Sequence, residues 1–277
     1  KGNLFSNSRP QHEAFNFLNY TYWDAEATSS SLVLDGNRFE ECSIRRWFTG
    51  DGTATDGAGV PLTDEQMNEL YSIGATESAQ AQLEIHVSTV DELIAAIGPN
   101  VNIVLDGELY DLSTATGYGT AKGDYYYWLE EFDGPQLVIE GVDNLTIRSN
   151  DGNVTGHTIA AIPRYADVLT FQSCSYITLS GFTAGHTKEP GSCSGGVLEF
   201  QDTDHVTVDN CGLFGCGILG IRAEYCSNMR VVNCDIYECS QGGVCFWSTK
   251  GIVMENNTLR DLGGSDMDFI DCKDVTV

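Results

Sequence analysis

Basic residues are the scarcest chemical class in this chain. Against 40 Asp and Glu stand 14 Lys and Arg, a formal net charge of −26 over 277 residues. Nucleic acids and anionic membrane surfaces are held by clustered cations, so the charge argues against both as partners. No run of 18 or more apolar residues occurs, which argues against a membrane-spanning helix. The first stretch, from Lys1, lacks the order of a signal peptide, and the chain reads as a mature or trimmed form. The charge balance suits an exported soluble protein, calcium, or a neutral glycan. A 42% apolar content is ample for a core.

What the chain does have is a repeat of 23 residues in its second half. Val206-Thr207-Val208, Met229-Arg230-Val231, Ile252-Val253-Met254 and Val275-Thr276-Val277 are equally spaced. Asn210, Asn233 and Asn256 follow in step, then Leu213, Ile236 and Leu259. Each unit reads as an alternating strand, an Asn at a bend and a second short strand. A unit this small cannot bury its own apolar face, so its copies must stack, and the period predicts a three-sheet parallel β-solenoid. Less regular copies lie upstream, around Leu137, Val168 and Val197. Their longer spacings predict loops leaving one side of the stack, often the binding side.

Seven of the ten cysteines fall into three columns of this stack. Cys211 and Cys234 share one, Cys216 and Cys239 a second, and Cys174, Cys226 and Cys272 a third. Adjacent turns lie about 4.8 Å apart, so disulfides are geometrically open, and buried free thiols fit as small hydrophobes. A zinc site does not fit, because five extended residues put the members of each Cys-x4-Cys pair roughly 16 Å apart. No metal site is expected.

Residues 88–99 predict a short helix with a Ser or Thr cap and a Gly-Pro end. It is read as the cover of the solenoid's first turn, with residues 101–105 as the first strand. Residues 113–135 form an insertion rich in Tyr and Trp, packed on the stack or standing at a groove rim. Residues 1–85 lack the regular repeat and are assigned to an irregular region with short strands and one helix over 63–70. Within it, residues 32–42 echo 229–239 as a stray half-turn. The solenoid is assigned to 86–277, broken off in mid-turn at Val277 with nothing visible to cover it. The loop over residues 50–59 resembles a calcium loop in composition, but its spacing reads as a flexible turn.

Residues 220–225 (Gly-Ile-Arg-Ala-Glu-Tyr), 228–233 and 235–239 together resemble one three-strand turn of the right-handed parallel β-helix superfamily, the pectate-lyase-like fold. The Asn column at 210, 233 and 256 resembles that superfamily's asparagine ladder. Residues 184–197 resemble a segment of exported β-helix proteins of Gram-positive anaerobes. The resemblance implies an all-β fold with an N-terminal capping helix, covers about residues 86–277, and implies that substrates lie on the first sheet of each turn, here Leu198-Glu199-Phe200-Gln201. It is specific for fold and weak for function.

Alternation on that sheet sends Leu198, Ile221, Val244 and Met267 inward, with Phe200, Ala223, Phe246 and Phe269. One outward column is Glu199, Arg222, Cys245, Asp268, and the next is Gln201, Glu224, Trp247, Ile270. Glu199, Glu224, Asp268, His186 and Arg222 are the candidate catalytic residues, with His186 as a general base overhanging the face. Trp247, Tyr225, Asp271 and Glu189 are the candidate substrate contacts. His157 and His205 are read as turn residues. The basic set and calcium-binding Asp residues of pectate lyases are absent, as are the three-Asp set and Gly-His-Gly of galacturonan hydrolases. Asp266, Asp268, Asp271 and the Gly185-His186-Thr187 stretch only approach those patterns. A polyuronate is therefore disfavoured unless calcium bridges it; no cofactor is required, and calcium stays open. The reading is an extracellular or cell-surface monomer that engages carbohydrate. A polysaccharide lyase or glycoside hydrolase is one alternative, and a structural stalk or adhesin-like module the other.

Overall fold

Each repeat unit makes one turn of a solenoid and lays one short strand on each of three parallel sheets. The structure is a computed structural model that describes residues 82–186, 194–215 and 217–277, together with Gly2, Asn3 and the backbone of short strands between residues 4 and 55. The first sheet stacks Leu169–Gln172, Leu198–Gln201, Leu219–Glu224, Gly242–Trp247 and Met267–Ile270. The second stacks Ser175–Ser180, Asp204–Asp209, Ser227–Val232, Lys250–Glu255 and Lys273–Thr276. The third stacks Thr183–His186, Gly212–Phe214, Asp235–Tyr237 and Thr258–Arg260.

Alternate residues of every strand meet along the axis, so the core is a set of like-on-like columns. Phe171 stacks on Phe200 with ring centroids 5.3 Å apart, and Phe246 on Phe269 at 5.4 Å. Val206, Met229, Ile252 and Val275 line the second wall, and Leu213, Ile236 and Leu259 the third, all buried.

At the bend between the second and third sheets, Asn210, Asn233 and Asn256 take positive φ angles of 51°, 56° and 54°, a conformation Asn tolerates. They are not the buried ladder. Their side chains are half-buried or exposed on the outside of the corner, and the residue that points beneath the turn is the next one. There Asn257 Oδ1 accepts from the Cys234 amide at 2.9 Å and its Nδ2 donates to Val231 O at 2.8 Å. Asn3 continues the column, accepting from the Asn257 amide at 2.8 Å and donating to Met254 O at 3.2 Å. In the two preceding turns Cys211 and Cys234 fill this position, and the Cys234 thiol donates to Val232 O at 3.2 Å.

The corner between the first and second sheets alternates two residue types: Cys174, Thr203, Cys226, Thr249, Cys272. Thr203 and Thr249 Oγ1 donate to Gln201 O and Trp247 O at 2.9 and 3.0 Å, and the Cys174 and Cys226 thiols donate to the equivalent carbonyls at 3.3 Å. The three cysteines are thus one column interrupted by threonine. The described cysteines are free thiols, and burial pushes those of Cys226 and Cys272 up to about 12.

Helix α1 (Val90–Ala95) closes one end. A Thr89–Glu92 capping box starts it, and Leu93 and Ile94 enter the core. The aromatic insertion contributes Tyr126–Glu131, which runs antiparallel to Gly134–Glu140 at the edge of the first sheet. Tyr125, Tyr126 and Trp128 pack against the core, with Tyr118 edge-on to Trp128 at 4.9 Å. No described helix is long and apolar enough to cross a membrane.

The opposite end departs from expectation. Leu4–Ser6 pairs with Thr258–Arg260, His12–Leu18 with Met267–Ile270, and Leu32–Val33 with Val275–Thr276. Arg38–Glu40, Cys42–Ile44 and Ala54–Thr55 then stack on those strands. The region read as irregular therefore supplies two further turns that cover the turn ending at Val277. Unequal loops between its strands break the 23-residue spacing, so only the echo over 32–42 betrays the register. The helix expected over 63–70 lies outside the described residues.

Candidate first-sheet face

The strand registers place Glu199 beside Arg222, Arg222 beside Cys245 and Cys245 beside Asp268. Gln201, Glu224, Trp247 and Ile270 align in the second outward column. Both columns follow from two-residue alternation carried across in-register parallel strands.

The centre of the face is a hydrogen-bonded cluster with a member that sequence reasoning missed. Arg222 Nε and Nη2 donate to Glu199 Oε1 at 2.9 and 2.6 Å, and Nη2 also reaches Asp167 Oδ2 at 3.4 Å. Asp167 Oδ1 accepts from the Gly196 amide. Thr170 Oγ1 donates to Glu199 Oε2 at 3.3 Å and accepts from Gln136 Nε2 at 2.8 Å, while Gln136 Oε1 accepts from the Asp167 amide at 2.8 Å. The ring is closed. Gly195 allows it, because a side chain there would collide with the Ala166 carbonyl of the turn below. Burial, reinforced by the neighbouring Glu199, raises the Asp167 pKa far above the carboxylate range, and Arg222 offsets this only in part. Asp167 thus lies buried behind the half-buried Glu199, with its proton-bearing form favoured. In sequence its signal is faint: a carboxylate in a turn, where the next unit has Gly196.

The other predicted residues disperse. His186 ends a strand of the third sheet and is fully buried. Its Nε2 lies 2.8 Å from Ala166 O, and burial lowers its pKa, so it cannot overhang the face as a general base. The reason is the turn itself, which carries the chain inward before the loop begins; Glu189 lies outside the described residues. Asp266 is also buried, one residue ahead of the strand in a column with Gly220 and Gly243. Asp271 sits at the corner with φ 53°. Glu224 and Asp268 occupy different columns two turns apart, about 10 Å along the stack and about 7 Å across it, so their backbones stand roughly 12 Å apart, wider than an inverting carboxylate pair. His205 is the second residue of the strand Asp204–Asp209 and not a turn residue, with φ 56°, and His157 Nδ1 donates to Gly107 O at 2.7 Å beside a short 3-10 turn. Among the described residues no group of three or more His, Cys, Asp or Glu is placed to hold a metal ion.

Tyr225 and Trp247 flank Glu224. Trp247 pairs with Glu224 across the strands and is 46% exposed, and Tyr225 is 61% exposed. Tyr225 has φ 56° in a corner column otherwise filled by Ser173, Asp202, Ser248 and Asp271. Every residue of that column takes the left-handed φ that the corner requires, and Tyr225 does so with its ring open to solvent.

Residues 169–277 match the family model described as the right-handed beta helix region. The fold is a right-handed parallel β-helix. Among solved structures, this β-helix is similar to a Parabacteroides merdae protein described as a glycosyl hydrolase, at 12% identity and a TM-score of 0.36, over 51% of this chain and 78% of that one. It is also similar to a pectate lyase, at 16% identity and a TM-score of 0.27, over 69% of this chain and 57% of that one. The search of curated proteins returns no match.

Proposed function

We propose that the first sheet of the β-helix is a glycan-binding face. The observation that carries this is the Glu199–Arg222 pair, backed by the buried Asp167, on one outward surface with the exposed rings of Trp247 and Tyr225. Sugar rings offer hydroxyls for carboxylate and guanidinium groups and C–H faces for aromatic rings, and this surface presents both. An extracellular or cell-surface location belongs to the same proposal, since polymeric glycans are met there.

A second reading, a polysaccharide lyase or glycoside hydrolase, is favoured by one observation: two carboxyls, Asp167 and Glu199, share the single guanidinium of Arg222. Asp167 is nearly inaccessible, so in this reading it acts through Arg222, holding the guanidinium that positions Glu199. A panel of neutral and acidic polysaccharides, with and without calcium, tests both readings when binding, new reducing ends and unsaturated-uronate absorbance are measured together. Glu199→Gln is expected to weaken binding at least tenfold while the fold is retained. Turnover lost in the same variant establishes an enzyme, and the product separates hydrolase from lyase. Silence in binding and turnover overturns the glycan face and leaves a structural module.

A further inference from the structure

A second aromatic cluster stands at the opposite corner of the first sheet. The hairpin formed by Tyr126–Glu131 and Gly134–Glu140 places Phe132 at its tip, 85% exposed, with its ring 5.0 Å from that of Tyr165. Ile162 and Leu129, each three residues from one of the two rings in sequence, are exposed as well. The tip is not a loose end. Asp133 Oδ2 and Oδ1 accept from the Arg164 and Tyr165 amides at 2.8 and 3.0 Å, and Tyr118 Oη donates to Pro135 O at 3.1 Å. A phenyl ring held in water on a pinned backbone is a preformed contact surface. Tyr165 leads into the strand at Leu169, and Asp167 lies between them, so this platform borders the polar cluster. Trp247 lies three turns along and at the far corner of the sheet. At about 4.8 Å per turn and about 3.3 Å per residue, the two clusters are on the order of 20 Å apart, with Glu199 and Arg222 between them.

Arg164 adjoins Tyr165 at the platform, but beyond it the charge along the outward columns is one-sided. The outward columns carry Glu140, Glu199, Glu224 and Asp268, and Asp202 and Asp271 stand at the corner beside them. Arg222 is the one basic residue in those columns among the described residues, and Glu199 and Asp167 already engage it. A polyanion laid here would face like charges, a juxtaposition that opposes binding.

Resting on the reading of a glycan face, we infer that its occupant is a polysaccharide without acidic groups, long enough to lie from the Phe132–Tyr165 platform to Trp247. The test is calorimetric titration of the full chain with neutral gluco- and manno-oligosaccharides of two to eight units, and with oligogalacturonides of the same lengths, with and without calcium. Affinity for neutral chains is expected to rise with length and then level off. Phe132→Ala and Trp247→Ala are each expected to weaken the longest neutral ligand about three- to tenfold, the worth of one aromatic contact, and not jointly to affect the shortest. Phe132 is so exposed that its truncation leaves the core intact. Oligogalacturonides binding more tightly than neutral chains of equal length overturn the inference while leaving the glycan face standing. Affinity independent of length, or unchanged in Phe132→Ala, does the same. A concentration-dependent dimer abolished by Phe132→Ala, with glycan binding unchanged, assigns the platform to a second copy of the chain and overturns it too. Absence of binding to every oligosaccharide overturns the glycan face itself, and this inference with it.

Discussion

Asp266 carries a carboxyl where the two preceding turns have Gly243 and Gly220. Burial pushes its pKa from 3.8 to about 8, and Asp167 shifts in the same direction. A carboxyl with a raised folded-state pKa binds its proton more tightly when folded. Its stabilising contribution is therefore complete below about pH 4 and is lost as pH rises toward 8. The urea midpoint is expected to fall between pH 5 and 9, and Asp266→Asn, which keeps the shape without the ionisation, is expected to flatten that slope. A wild-type midpoint indifferent to pH over this range would contradict a buried carboxyl. Neither residue's burial was legible from sequence. Both sit in turns just ahead of a strand, where two-residue alternation has not begun and the spacing between units still varies. Glu199, Arg222, Glu224 and Trp247 were legible, because each lies within a strand whose parity and 23-residue phase are unambiguous.

At the scale of the element, the corners do what hydrogen-bonded sheets alone do not. Every turn must satisfy backbone groups where the chain changes direction, and this protein uses threonine, asparagine and thiol side chains for that purpose. Asn257 serves two of them, the Cys234 amide and the Val231 carbonyl. Asn257→Ala orphans both in a buried corner, at about 1–3 kcal/mol for each group, so the variant is expected to lose on the order of 2–5 kcal/mol in denaturant titration. A cost below 0.5 kcal/mol, within the scatter of ordinary surface changes, would mean that water replaces the amide there. The displacement of the ladder from Asn256 to Asn257 has a simple cause. A repeating Asn advertises the bend conformation, whereas the buried position accepts Cys or Asn alike and so shows no single repeated letter.

As a whole molecule the solenoid is nearly one-dimensional, since each turn touches its neighbours and little else. Stability should therefore be local, and the covers at each end should matter most to the turns they touch. At one end the cover is α1; at the other it is a pair of turns built from residues 4–55. Asn3→Ala removes the acceptor of the Asn257 amide. It is expected to speed hydrogen exchange at that amide and at neighbouring positions of the last turns, while the amides of Asp143–Ser149 keep their protection. Uniform acceleration along the whole stack would show global cooperativity instead.

The sequence was sufficient to establish the solenoid, its three sheets, the helix at one end and the two outward columns of the first sheet. Those features depend on periodicities of 2 and 23 residues, which the side chains record directly. It did not reveal that the first residues stack beyond the last, that His186 is buried, or that Asp167 joins Glu199 and Arg222. Those contacts join residues far apart in the chain or in turns of unequal length. Their partners are set by which segments lie side by side once the turns have stacked, and no local pattern of residues encodes that.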